Sequence, residues 1–271
     1  MPGLGIMPAN FVDRPSSDGS VNVISRWYKP WFFKHVQSIL KEGKRVVEYI
    51  PLRDYYHRHT KSIFWELEEI IPFGNHPVYR FLLGWAIPPK VSFLKVTQTQ
   101  KVKELYANNH VLQDMLVPMS KFTEALGIFH KEFEIYPLWL CPYRAYDYSE
   151  KGIEHRGFLK KPKNLLPGKN YEMYVDLGAY GTPQAVKDKR SDFNTIQHCK
   201  NVEEYVGSVH GFQMLYATSY LNRDAFRKMF NHEHYDEMKK AYDPQGAFPE
   251  VFEKTCKEGY KQFLKANQSS S

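Results

Sequence analysis

Two stretches of this sequence gather the side chains that can move protons or hold a ligand. The first is Arg53-Asp54-Tyr55-Tyr56-His57-Arg58-His59-Thr60, dense in donors and acceptors. The second is Gly211-Phe212-Gln213-Met214-Leu215-Tyr216-Ala217. In the first, His57 and His59 alternate. On a strand they would share a face, where two imidazoles can hold a metal. No third ligand is marked nearby, so no metal site is expected there. His232-Glu233-His234 is a weaker arrangement of the same kind, read as solvated. In the second stretch, Phe212, Met214 and Tyr216 alternate with Gln213, Leu215 and Ala217. That is the pattern of a strand with one apolar and one mixed face. Its end either carries Tyr216 into a ligand site or leaves it as a core aromatic with a bonded hydroxyl. Gly211 would let the backbone pass close to a neighbour or a ligand. GxSxG, Walker, HExxH and GxGxxG motifs are absent from the sequence.

The elements that must position these residues follow from hydrophobic period and turn chemistry. Residues 31–41 read as a helix stopped by Gly43, and 45–50 as a strand ended by Pro51. Thr60 is placed to cap a helix over 61–70. Pro72-Phe73-Gly74-Asn75 is a turn. The apolar stretch 76–87, closed by Pro88-Pro89-Lys90, is expected to be a core helix, with a helix dipping into lipid as the alternative. A more regular order begins at residue 98: helix 98–109, strand 111–117, helix 119–133, strand 135–141, a polar loop over 147–170, strand 171–178, helix 195–209, and the strand 211–217. Pro137 argues for an irregular or edge position in its strand. From residue 111 the succession is strand, helix, strand, strand, helix, strand, the order of a ferredoxin-like, split-βαβ antiparallel sheet with helices on one face. Helices over 222–230 and 234–242, a turn at 243–248 and a last short helix to about residue 264 complete the chain. Residues 1–20 and 265–271 read as a loose leader and a frayed tail.

Composition narrows the class. Of the 271 residues, 42% are hydrophobic and 25% charged, as in a soluble globular α+β protein. The 19 Tyr and 18 Phe can line a large apolar pocket or fill a core. The formal net charge of +7 is scattered, with no basic run of the kind that binds nucleic acid. A modest basic excess would favour an anionic membrane surface. Cys141, Cys199 and Cys256 lie too far apart for a disulfide framework or a zinc site, and Cys141 is expected to be a buried free thiol. The first ten residues lack the pattern of a signal peptide, and no apolar run is long enough to span a bilayer.

Several long runs carry a resemblance. They include Trp27 to Val36, Glu48-Tyr49-Ile50-Pro51-Leu52-Arg53-Asp54-Tyr55-Tyr56-His57-Arg58-His59-Thr60, Ile71-Pro72-Phe73-Gly74-Asn75, Gln113 to Met119, Ser208 to Ala217 and Ala247-Phe248-Pro249-Glu250-Val251. Together they resemble the Δ24-sterol reductases, FAD-linked oxidases of the vanillyl-alcohol-oxidase type. The resemblance covers most of residues 28–256 but only the C-terminal half of that family. It implies that the FAD-binding domain and membrane segment lie in the missing N-terminal part. It also implies a substrate cap beginning in 21–97, with its core in 98–218, and helices 219–264 returning toward the flavin domain.

The implied activity is NADPH-driven, FAD-dependent reduction of the C24 double bond of a sterol at the endoplasmic reticulum membrane. The alternative is a non-catalytic cap that binds sterol or a partner. Tyr216 becomes the first candidate for proton donor, with Tyr56 and His57 in a second catalytic set. Gly211, Phe212 and Gln213 are candidates against the cofactor. Tyr55, His59, Asn75, Lys90 and Met214 are candidates against the substrate. Many relatives carry a His-Trp-x-Lys-like motif where Met214 to Ala217 stand here. An alkene reductase has no alcohol proton to remove, so that loss suits the implied chemistry.

Overall fold

The computed structural model describes residues 21–43, 45–62, 64–86, 109–149, 154 and 156–256. The expected leader 1–20, the tail 265–271, Lys90, nearly all of the expected helix 98–109 and the last helix beyond residue 256 lie outside the described residues. The chain forms two compact units, residues 1–97 and 98–271.

In the first unit, α1 (Phe32–Lys41) ends beside Gly43, whose φ of 64° is the left-handed turn that stops it. The side-chain Oδ1 of Asn75 accepts the Trp31 N–H at 2.7 Å, just before the helix starts. Trp31, Phe33, Trp65 and Leu67 form a small buried core. Gly74 is required there, because a Cβ would lie 2.6 Å from the Trp31 ring.

Three expectations fail in this unit. Residues 45–50 form no strand: Tyr49 makes a single bridge to Val21 and has no further strand partner among the described residues. The helix over 61–70 shrinks to α3 (Leu67–Ile70), preceded by α2 (Leu52–Tyr56) and a series of tight turns. Phe64 adopts a φ of 59°, which breaks a helical ladder, and it stacks on His59 with ring centroids 5.4 Å apart. Beyond them, α4 (Pro77–Leu83) runs into a 3₁₀ turn over Gly84–Ala86. It is not the expected core helix, because most of its apolar side chains are exposed.

The second unit is an antiparallel four-stranded sheet with flanking helices, in the order β2-β3-β1-β4. Strand β1 (Val111–Pro118) pairs with β3 (Tyr171–Gly181) and with β4 (Phe212–Gln213); β2 (Trp139–Tyr146) pairs with β3. This is the strand order a split-βαβ succession requires, with β3 inserted between β1 and β2. The helices α5 (Phe122–Glu132) and α7 (Thr195–Ser208), with the short α6 (Gln184–Lys187) between them, behave as their apolar periods demand. Asn194 caps α7 by accepting the Gln197 N–H at 3.1 Å. Buried Glu132 ties α5 to α7 by accepting from His198 and Asn201, each at 2.8 Å. Then follow α8 (Arg223–Met229), capped by Asn222, then α9 (Glu233–Tyr242) and α10 (Val251–Thr255).

Strand boundaries move, and so does the environment of Cys141. Strand β2 starts at Trp139 rather than residue 135, because Glu134 turns in the left-handed region and Pro137 has no N–H to pair. It lies at the sheet edge, which tolerates Pro142 and leaves Cys141 exposed rather than buried. The expected strand 211–217 pairs only at Phe212 and Gln213. Met214 gives its N–H to the Asp114 carbonyl at 3.0 Å, and the chain then turns.

A buried polar network joins this sheet to α7. Glu203, fully buried, accepts the Tyr220 N–H on both carboxyl oxygens at 3.0 Å, and its carboxyl meets the Gln213 side chain. Gln213 and Gln113 both donate to the Thr218 carbonyl, at 3.2 and 2.9 Å. Gln213 Oε1 has no donor among the described residues. Burial pushes the Glu203 carboxyl up to about 8, so it carries a proton at neutral pH.

Because the folded-state value lies above the unfolded one, Glu203's favourable contribution is complete below about pH 4.3 and is lost as pH rises toward 8. Glu203→Gln, which stays neutral throughout, should therefore flatten the decline between about pH 4.3 and 8 and be no less stable than the wild type near pH 7. Glu203→Ala should cost about 2–3 kcal/mol by stranding the Tyr220 N–H. Urea unfolding between pH 5 and 9 checks both; a Gln variant as damaged as the Ala variant at pH 7 would show that the carboxyl is ionised.

Candidate functional site

Side chains alternate across a sheet, so the ladder register sorts the second unit into two faces. Val111, Gln113, Met115 and Val117 of β1 share a face with Val175, Leu177 and Ala179 of β3. Gln213 lies on this face too, opposite Met115, and reaches Glu203 of α7. This is therefore the helix side, and its β3 residues are all buried. The opposite face carries Leu112, Asp114 and Leu116 of β1, Tyr174, Asp176, Gly178 and Tyr180 of β3, and Trp139, Cys141 and Tyr143 of β2. One end of it is closed: Glu172 holds the loop below it by accepting the Lys163 and Asn164 N–H groups, each at 3.0 Å. Toward Leu112, Cys141 and Tyr180 it is open.

At the open end sits a chain of proton-bearing groups. Tyr180 donates its hydroxyl to the Asp114 carboxyl, with Oη at 2.5 and 2.7 Å from the two oxygens. Tyr216 Oη stands 3.3 Å from Tyr180 Oη, and the Tyr216 side chain is 65% exposed. Asp114 itself is buried, which raises its carboxyl above the usual range although the Tyr180 bond pulls it down. Asp176 lies on the same face with one oxygen, Oδ1, buried and without a donor among the described residues. Burial, then repulsion by Asp114, pushes it up to about 7. Gly178 makes the cluster possible. A Cβ there would lie 2.5 Å from Asp114 Oδ1 and 2.9 Å from Tyr180 Oη. Such a set can hold and pass a proton beside an aromatic surface.

The sequence-derived candidates divide between the units. Tyr216 reaches the chain of groups just described. Met214 is half-buried against the core. Phe212 is buried among Tyr143 and Tyr174, and Gly211 is so tightly held that a Cβ would lie 2.4 Å from the Leu116 carbonyl. Gln213 is taken up by the buried network.

In the first unit, Tyr55 and His59 both pack edge-on against Phe32, at 6.3 and 5.8 Å, and the Arg58 guanidinium lies 4.3 Å over the Tyr55 ring. Burial, then the Arg58 charge, lowers His59 to about 4, so it stays neutral. Tyr56 and His57 point to solvent, and Asn75 holds the start of α1. Among the described residues no cluster of His, Cys, Asp or Glu has the makings of a metal site. Sequence reading missed Asp114, Asp176 and Tyr180. The available signal was an acid in the middle of each of two apolar, alternating strands.

Over 237 residues the chain is 48% identical to the Δ24-sterol reductase of Rattus norvegicus, an alignment covering 88% of this chain and 43% of the rat protein. The chain is homologous to the Δ24-sterol reductases. The human enzyme gives the same 48% identity over 237 residues. The Arabidopsis thaliana enzyme is 41% identical over 244 residues, which is 88% of this chain and 42% of the plant protein. The chain thus spans less than half the length of the sterol reductases it matches. No family model and no solved structure matches it.

Tyr180→Phe removes the hydroxyl that lowers Asp114, so the Asp114 titration should move upward. Carbon-13 NMR of the side-chain carboxyls would follow it; a downward or absent shift would mean that the bond to Tyr180 is not what holds Asp114. Gly178→Ala should disturb the same resonance, through steric displacement of the carboxyl.

Proposed function

We propose that this chain is the substrate-side half of a flavin-dependent reductase that saturates the C24 side-chain double bond of a sterol, with NADPH as the ultimate reductant. The homology supports the sterol reductase reading. The observation that carries the part played by this half is the open sheet face with Asp114, Tyr180 and Tyr216 linked in series. We assign the sheet unit as the substrate cap.

The fit to FAD is partial. Gly211, Phe212 and Gln213 are packed or bonded internally and offer nothing to the nucleotide end of the cofactor. The apolar and aromatic side chains of the open face, Trp139, Leu112 and Tyr216, suit a flat ring and an aliphatic sterol tail. The nucleotide end is assigned to the upstream part that the relatives possess. When bound and reduced, the flavin supplies hydride.

The chain's own residues do the rest. The apolar face orients the alkene and keeps water away. Tyr216 gives its proton to the less substituted alkene carbon, leaving the tertiary carbon to accept hydride. Tyr180, whose own hydroxyl is held by the Asp114 carboxyl, orients the Tyr216 hydroxyl, and solvent returns the proton to Tyr216 once the product has left. One proton and one hydride would be added across the double bond.

The first measurement is the visible spectrum of the purified chain after incubation with FAD and desalting. Retained flavin absorbance would show that this half makes its own cofactor site. A colourless chain that still binds sterol would favour the non-catalytic module instead. With the chain joined to the upstream half of a relative, Tyr216→Phe should cut turnover of a C24-unsaturated sterol by about 10²-fold or more with sterol binding kept. Near-normal turnover would remove Tyr216 as the acid.

A further inference from the structure

The amphipathic pattern of α4 and its 3₁₀ continuation is turned inside out. Val78, Phe81, Leu82 and Trp85 recur at i, i+3, i+4 and i+7, the stripe that normally faces a core. Here all four face outward, with exposures of 59, 66, 59 and 72%. The buried side of the helix carries Arg80 and Gly84 instead. Specific bonds hold it that way. Arg80 Nε donates to the Lys29 carbonyl at 3.1 Å, and the Trp27 indole donates to the Phe81 carbonyl at 3.3 Å. Gly84 is needed for this seating, since a Cβ there would lie 2.5 Å from the Trp27 carbonyl.

The rim of the stripe is aromatic and basic. Trp27 and Tyr28 pack edge to face at 5.4 Å, both exposed, and exposed Arg26 donates to the Tyr28 hydroxyl at 2.7 Å. Charge is distributed in keeping with this. Residues 21–97 hold 12 Lys and Arg against 6 Asp and Glu, so most of the chain's formal +7 resides in this segment.

We propose that this helix docks on the surface of an anionic phospholipid bilayer, with Val78, Phe81, Leu82 and Trp85 in the upper acyl region. Trp27, Tyr28 and Arg26 would sit at headgroup depth. An exposed apolar stripe alone would suit many partners. The rim of indole, phenol and guanidinium around it matches the headgroup boundary, where rings with one apolar and one polar end are favoured. The basic excess complements anionic lipid. The helix is far too short to cross, and no helix among the described residues is long and apolar enough to do so. The contact is therefore a lying-on, reversible one. It does not rest on the reductase reading, and flavin retention and sterol turnover are separate readouts.

The test is flotation of the chain with vesicles of phosphatidylcholine alone or with one-third phosphatidylserine, at low and high salt. The wild type should float with the anionic vesicles, less so at high salt. Phe81→Ser combined with Leu82→Ser should reduce the bound fraction at least tenfold, with an unchanged circular dichroism spectrum. Tyr242→Ser, which removes an exposed ring on the second unit, should leave flotation intact. The proposal fails if the wild type stays with the free protein, or if the Phe81/Leu82 variant floats as well as the wild type. It fails equally if the stripe drives self-association instead, seen as a dimer in sedimentation that the same double variant dissolves.

Discussion

Strand β1 has neighbours on both edges, and its alternation has to satisfy two unlike environments. The side chains of Val111, Met115 and Val117 go to the helix side and are wholly buried. Leu112 and Asp114 go to the other, and a slip of one residue would send the acid into the helix-covered core. Pairing along its whole length with β3 prevents that slip, and pairing with β4 reinforces it at Met115 and Leu116. Gly211 lets β4 approach, since the Leu116 carbonyl and the Val206 side chain occupy the space a Cβ would need. The position of Asp114, and through it Tyr180, is a consequence of packing on the far side of the sheet.

The two faces handle buried acid in different ways. On the helix side Glu203 accepts the Tyr220 N–H on both carboxyl oxygens and meets the Gln213 amide. On the open side Asp114 receives one phenol, while Asp176 keeps an oxygen without a donor among the described residues. A half-satisfied polar group is a cost that a purely structural site would remove by an apolar substitution. Two raised carboxyls sharing one face, within electrostatic reach of each other, are the pattern expected where protons are moved.

Long periodic segments were legible in the sequence. The helices at 119–133 and 195–209 and the strands at 111 and 171 follow from local signals that packing also favours. The strand at 45–50 and the helix at 61–70 were not, because each depended on partners that the sequence pattern does not name. The first has no adjacent strand among the described residues, and the second is interrupted by the left-handed Phe64 inside a cluster of rings. Helix α4 carried the correct stripe, but a stripe does not say which way it faces. Arg80 and Trp27 settle that, through bonds to residues more than fifty positions away. Of the site, Tyr216 was legible as the last aromatic of an alternating run. Its partners were not, since Tyr180 and Asp114 are 66 residues apart in sequence and only the ladder brings them together.

The shortness of β4 has a consequence of its own. Had the strand run to Ala217 as the alternation suggests, Tyr216 would be held in the ladder with its neighbours. Instead the pairing stops at Gln213, whose side chain is drawn toward α7, and the last bond to β1 is the Met214 N–H on the Asp114 carbonyl. The chain turns at that point, so Tyr216 leaves the sheet plane and is anchored by the contact of its hydroxyl with Tyr180. The residue whose backbone ends the strand is thus the one whose carboxyl begins the hydroxyl series. A side chain held at its tip and otherwise exposed can exchange that one contact for a contact to a ligand at little cost. A tyrosine locked in a central strand could not do so without breaking the ladder.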